Sequence, residues 1–126
     1  MIRQPSAPVF LNLFRIRFPV GAVTSIAHRI SGFLLFCSLP FFIYLLNLSL
    51  QDPQGYADAI ALLGSRWLKY GSAIVVWSLF HHLLSGVRFL LIDIDTGVTL
   101  RQARRSAWLV NITALFLVLA WCGWIS

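Results

Sequence analysis

Charge is what this sequence has least of. Aspartate and glutamate together number 4 and lysine and arginine 10 in 126 residues, a charged share of 11% where soluble domains carry roughly a quarter. So few ionic groups cannot cover the surface of a soluble enzyme. Cysteine is also scarce: Cys37 and Cys122 lie in different apolar stretches without a second cysteine nearby. That spacing excludes a cysteine-built metal cluster and predicts two buried free thiols. No repeat or low-complexity tract is visible, and the length allows one domain, residues 1–126. A cleaved signal peptide is not expected, because the first apolar run starts late, is span-length and lacks a small-residue cleavage site.

What fills the chain is apolar: 59% of residues are hydrophobic, and the mean hydropathy is +0.81. Runs of about 18 or more apolar residues read as membrane spans. Three are present, predicting an all-α integral membrane protein with transmembrane helices over about residues 20–50, 67–92 and 107–125. Pro19 suits a first helical turn, Gln51-Asp52-Pro53-Gln54-Gly55 breaks the chain, and Tyr56 to Ser65 reads as a short helical return. Asp95-Thr96-Gly97 reads as the loop between the second and third spans. Trp67, Tyr70, Trp121 and Trp124 mark one headgroup level and Trp108 the other.

The net charge of +6 is distributed as topology and not as a nucleic-acid surface. Arg3, Arg15, Arg17 and Arg29 precede the first span, and Arg101, Arg104 and Arg105 separate the second from the third. Only Arg66 and Lys69 lie in or beside the loop joining spans one and two. Basic residues collect on the cytoplasmic side, so the N-terminus and second loop are expected inside, with anionic lipid as a further partner.

Against this background the polar intrusions carry the information. An ionisable side chain at mid-membrane costs roughly 2.5–3.5 kcal/mol on insertion scales, so those present usually face a partner, a cofactor or water. All 3 histidines fall in two such stretches, Ser25-Ile26-Ala27-His28-Arg29-Ile30-Ser31-Gly32 and His81-His82-Leu83-Leu84-Ser85-Gly86-Val87-Arg88. Helical spacing puts Ser25, His28 and Arg29 on one face. Such a cationic, hydrogen-bonding patch can hold carboxylates or a quinone carbonyl; a plain positive anchor with an interfacial His would explain Arg29, and Ser25 and His28 less well.

His82 lies fifteen residues after Trp67, about 22 Å along a helix, which places it in the inner half of the bilayer. Gly86, one turn on, leaves room for a flat macrocycle, and imidazole is a usual axial ligand of haem iron. His81 points about 100° away from His82, so the two cannot share one iron. His28 is expected nearer the surface, so the opposite ligand must come from another chain. The bland alternatives are a histidine hydrogen-bonded to a neighbouring helix, the better account for His81, and snorkelling of Arg88 to the headgroups. Asp93 is either a loop acid or a proton-relaying partner of an arginine.

The two linked motifs, Ser25-x-x-His28-Arg29-x-Ser31 after Pro8 and Leu11-Asn12-Leu13, and His82-x-x-x-Gly86-Val87-Arg88-Phe89 closing with Asp93, resemble the cytochrome b membrane-anchor subunit of succinate dehydrogenase (complex II). The resemblance covers nearly the whole chain. It implies haem b shared with a second small membrane-anchor subunit, His82 as this chain's axial ligand, and His28, Arg29 and Arg88 at the haem. It further implies Ser25, Arg29 and Asp93 at a ubiquinone site. FAD and iron–sulfur clusters would reside in the flavoprotein and iron–sulfur partner subunits, and the chain itself would perform no succinate chemistry. A multi-pass location in a bacterial inner membrane, rather than a mitochondrial one, follows from the same likeness. Ala7 stands where the family commonly has Arg, Phe89 where many members have a second His, and Ile92 where an aromatic or Met is usual. The alternatives are an anchor of a fumarate reductase, a proton- or solute-transport subunit, or a purely structural assembly subunit.

Overall fold

A computed structural model describes residues 17–125. It contains α1 (Val20–Ser49), α2 (Pro53–Gly64), α3 (Arg66–Asp93) and α4 (Leu100–Ile125), with no strand among the described residues. The three long helices are each apolar and long enough to cross a membrane. The 30 residues of α1 reach about 45 Å at 1.5 Å per residue. Pro8, Ala7 and the Leu11-Asn12-Leu13 run lie outside the described residues.

Three boundaries differ from the sequence reading. Pro19 is the residue before α1, with extended backbone, rather than its first helical position. The break after Gln51 is itself a helix start: Asp52 caps α2 by accepting from the Gly55 amide at 2.7 Å, and Pro53 occupies the first turn. Gly55 packs so closely on the Leu48 carbonyl that any side chain would collide with it. The helical return therefore begins at Pro53, not Tyr56. Finally, α4 begins at Leu100 instead of Ala107, because its two basic opening turns are helical although not apolar.

Asp95 and Gly97 make the α3–α4 connection with left-handed backbone, φ 59° and 78°. Aspartate tolerates this region better than most residues and glycine needs no allowance for it. Contacts of Gly21 with Arg88 and Gly32 with His82 run α1 antiparallel to α3. Bonds from Arg88 to Ser106 and from Trp121 to Ser72 run α4 antiparallel to α3.

The burial pattern inverts that of a soluble bundle. Thr24, Ser31, Ser78, His81, Ser85 and Arg88 are buried, whereas the buried apolar side chains are Leu45, Ala59, Ala107, Val110 and Ala114. Large aromatic and aliphatic groups such as Phe33, Phe36, Leu90 and Phe116 point outward. In hydrocarbon no hydrophobic force drives helices together, so small residues and hydrogen bonds hold the interfaces. Cys37 and Cys122 are free, but Cys37 is exposed on the outside of α1, which corrects the expectation that both are buried.

Candidate functional site

The two polar stretches meet at the α1–α3 seam. His82 reaches α1, where its Nδ1 lies 3.1 Å from the His28 carbonyl and 3.4 Å from Ser31 Oγ. Ser31 in turn donates to the same carbonyl at 2.8 Å. A carbonyl can only accept, so the proton sits on Nδ1 and His82 keeps its Nε2 lone pair. Gly32 makes the approach possible: a Cβ there would stand 2.8 Å from His82 Cε1, closer than real contacts allow.

His28 lies flat on His82, ring centroids 4.1 Å apart and planes within 7°, and meets Phe89 edge-on at 5.2 Å. This corrects the expectation that His28 sits apart from His82 nearer the surface. Antiparallel α1 and α3 bring the two imidazoles to one depth. They are stacked face to face, however, so their nitrogens do not converge from opposite sides on one point, as two axial ligands must. The space beside Gly86 is taken by the His28 edge, whose Nε2 would lie 3.7 Å from an added Cβ.

Around this pair runs a half-buried strip. Ser25, His28, Gly86 and Phe89 are partly covered, while Arg29 and Asp93 are exposed. Asp93 follows His82 by eleven residues, three helical turns, and so shares its face at the end of α3. The side chains of Ser25, Arg29 and Asp93 make no hydrogen bond or ion pair to another described residue.

Arg88 is turned differently. It is 7% exposed; its Nε donates to Ser106 Oγ at 3.0 Å and its Nη2 to the Ala103 carbonyl at 3.1 Å. Burial against α4 replaces the snorkelling alternative. His81, 2% exposed, also faces inward. Its Nε2 lies 3.1 Å from Asn111 Oδ1 and its Nδ1 3.3 Å from Ser85 Oγ, and Asn111 Nδ2 donates to Thr24 Oγ1 at 3.0 Å. Asn111, Ser106 and the role of Thr24 escaped the sequence reading. The one available signal was a lone amide in the third apolar run. A groove of about 580 Å³ on α4, between Arg101, Arg104, Arg105 and Trp108, shares no residue with the histidine strip.

Fold and site together define a small polytopic membrane protein with imidazoles set between its helices. The chain belongs to the succinate dehydrogenase/fumarate reductase transmembrane subunit family, whose model matches residues 3–121. A succinate dehydrogenase cytochrome b556 subunit of Coxiella burnetii is 32% identical over 119 residues, 94% of this chain and 95% of the relative. Its counterpart in Paracoccus denitrificans is 31% identical over 110 residues, 84% and 82% of the two chains. One from Rickettsia felis is 26% identical over 117 residues, 93% and 89%.

His82, with Nδ1 bonded to the His28 carbonyl, is a side chain whose chemistry suits a ligand to haem iron. Its Nδ1 donates to that carbonyl, and its Nε2 has no hydrogen-bond partner among the described residues.

Proposed function

We propose that this chain is the cytochrome b anchor of a complex II in a bacterial inner membrane, with its N-terminus cytoplasmic. His82 would hold haem iron through Nε2, and Ser25, Arg29 and Asp93 would be its contribution to a ubiquinone-reduction site. The observation that carries this reading is the His82 Nδ1 bond to the His28 carbonyl. A metal-bound histidine commonly donates its other ring N–H to a carbonyl or carboxylate, which fixes ring orientation and leaves the second nitrogen free to ligate.

Haem b, when bound, supplies a one-electron store beside the quinone. The chain's own residues do the rest. His82 offers Nε2, while His28, Arg29 and the remaining guanidinium donors of Arg88 serve the carboxylate side of the group. A second ligand would be supplied by a second small anchor subunit, a reading supported by His28 stacking on His82 rather than opposing it. Ser25 donates its hydroxyl to a quinone carbonyl, and the permanent cation of Arg29 stabilises negative charge developing there. Asp93, exposed at the end of α3, takes protons from the aqueous side and passes them to the site. Succinate is oxidised in the flavoprotein subunit, and electrons arrive through the iron–sulfur subunit. The names of the relatives favour succinate oxidation over the fumarate-reductase alternative.

The test is a reduced-minus-oxidised absorption spectrum of the complex purified with this subunit. A low-spin, bis-imidazole haem b is expected. A complex that turns over quinone but contains no haem would overturn the ligand assignment, and one without quinone activity would overturn the anchor reading.

A further inference from the structure

Inside the bundle, on the side away from the seam, one hydrogen-bond chain joins all three long helices. Thr24 Oγ1 donates to the Val20 carbonyl at 3.0 Å and accepts from Asn111 Nδ2 at 3.0 Å. Asn111 Oδ1 accepts from His81 Nε2–H at 3.1 Å, and His81 Nδ1 accepts from the Ser85 hydroxyl at 3.3 Å. Each ring nitrogen of His81 is used once, as in a neutral imidazole. Both ring nitrogens of His81 are therefore engaged within the bundle, and neither is vacant to ligate iron.

Among the described residues, Thr24–Asn111 is the only side-chain hydrogen-bonding link between α1 and α4. The inward residues of α1 are otherwise few: Ser31 and Leu45. Outward-facing apolar groups do not resist rotation of a helix, since lipid solvates every face alike. Polar ties must then set the rotation. Each tied residue immediately precedes a residue of the seam: Thr24 precedes Ser25, and His81 precedes His82. Neighbours on a helix differ by about 100°, so fixing one fixes the direction of the next.

We propose that Asn111 is a positioning residue, one α4 side chain that holds Thr24 of α1 and His81 of α3 so that Ser25 and His82 both face the α1–α3 seam. This rests on the assignment of Ser25 and His82 made above.

The test uses the assembled complex with Asn111→Leu, Thr24→Val and Thr24→Ser. Loss of the tie is expected to raise KM for a short-chain ubiquinone about three- to tenfold in the first two variants, with kcat changed less than about twofold. Thr24→Ser, which keeps the hydroxyl, should retain the wild-type KM. Rotation is read without quinone or haem by the rate at which a membrane-permeant maleimide labels Ser25→Cys, with Cys37 and Cys122 replaced by alanine. Adding Thr24→Val should change that rate at least about threefold. If Thr24→Val and Asn111→Leu lower only the melting temperature and leave labelling and KM unaltered, Asn111 is merely a helix tie and the proposal is overturned. If labelling changes but KM does not, positioning holds and the quinone role of Ser25 falls. Should Asn111→Leu fail to assemble, the two Thr24 variants decide by the same criteria.

Discussion

Two histidines adjacent in sequence are held in opposite tautomers. His81 donates through Nε2 to Asn111 and accepts at Nδ1 from Ser85, in the interior of the bundle. His82 donates through Nδ1 to the His28 carbonyl, at the seam, and its Nε2 has no hydrogen-bond partner among the described residues. One ring is saturated and the other is prepared for a further bond. The difference comes from the acceptors each meets: an amide oxygen opposite Nε2 in the first case, a backbone carbonyl opposite Nδ1 in the second. Residue type alone, or position in the membrane, would treat the two as equivalent.

The largest expected effect breaks this pairing at its reactive member. His82→Leu should abolish the low-spin haem spectrum of the assembled complex. His81→Leu should retain it while lowering stability by about 1–2 kcal/mol, since it removes the ring's bonds to Asn111 Oδ1 and Ser85 Oγ and leaves Oδ1 with Thr24 alone. Difference spectra and thermal melts of the two variants separate these outcomes, and a reversed result would assign the ligand to His81.

A smaller effect is expected from moving His82 without removing it. At Gly32 an added methyl would sit 2.8 Å from the His82 ring. We expect the imidazole to shift and its bond to the His28 carbonyl to lengthen. Gly32→Ala should lower the haem-to-flavin ratio of purified complex, and Gly32→Val should lower it further. Equal haem content in all three proteins would mean that α1 yields instead, and that the close approach does not fix the ring.

The smallest effect tests the seam's other end. Ser25→Ala removes one hydroxyl and should weaken quinone binding about three- to tenfold, the value of a single hydrogen bond. Steady-state quinone titrations and inhibitor affinities report it, with succinate oxidation by a soluble acceptor as the control that bypasses the membrane site. Unchanged quinone kinetics in an assembled complex would reduce Ser25 to a helix-start hydroxyl.

Much of this arrangement is legible in the sequence, and the illegible part has a common cause. Hydropathy marks the three spans, and the 100° step between neighbours is enough to send His81 and His82 to different sides. Hydropathy reports affinity for lipid rather than helix, however, so the arginine-rich turns from Leu100 read as loop. The meeting of His28 with His82 depends on the antiparallel register of α1 and α3, which no local pattern encodes. Asn111 is invisible for the same reason: a single amide in an apolar run acquires meaning only from Thr24 and His81, 87 and 30 residues away. The place of Phe89 is likewise illegible in the sequence, since its edge-on contact with His28 depends on the same register.

The interior of small side chains and hydrogen bonds has a calorimetric consequence. The heat capacity of unfolding comes chiefly from apolar surface newly exposed to water. Here most large apolar groups already face outward, so separating α1, α3 and α4 within a micelle or bilayer wets little that was dry. Heating the subunit should then undo its tertiary arrangement with a small heat-capacity step, while its helices, whose backbone bonds are internal to each segment, persist. Far-ultraviolet dichroism would report a nearly unchanged helical content through a transition that had already dismantled the seam.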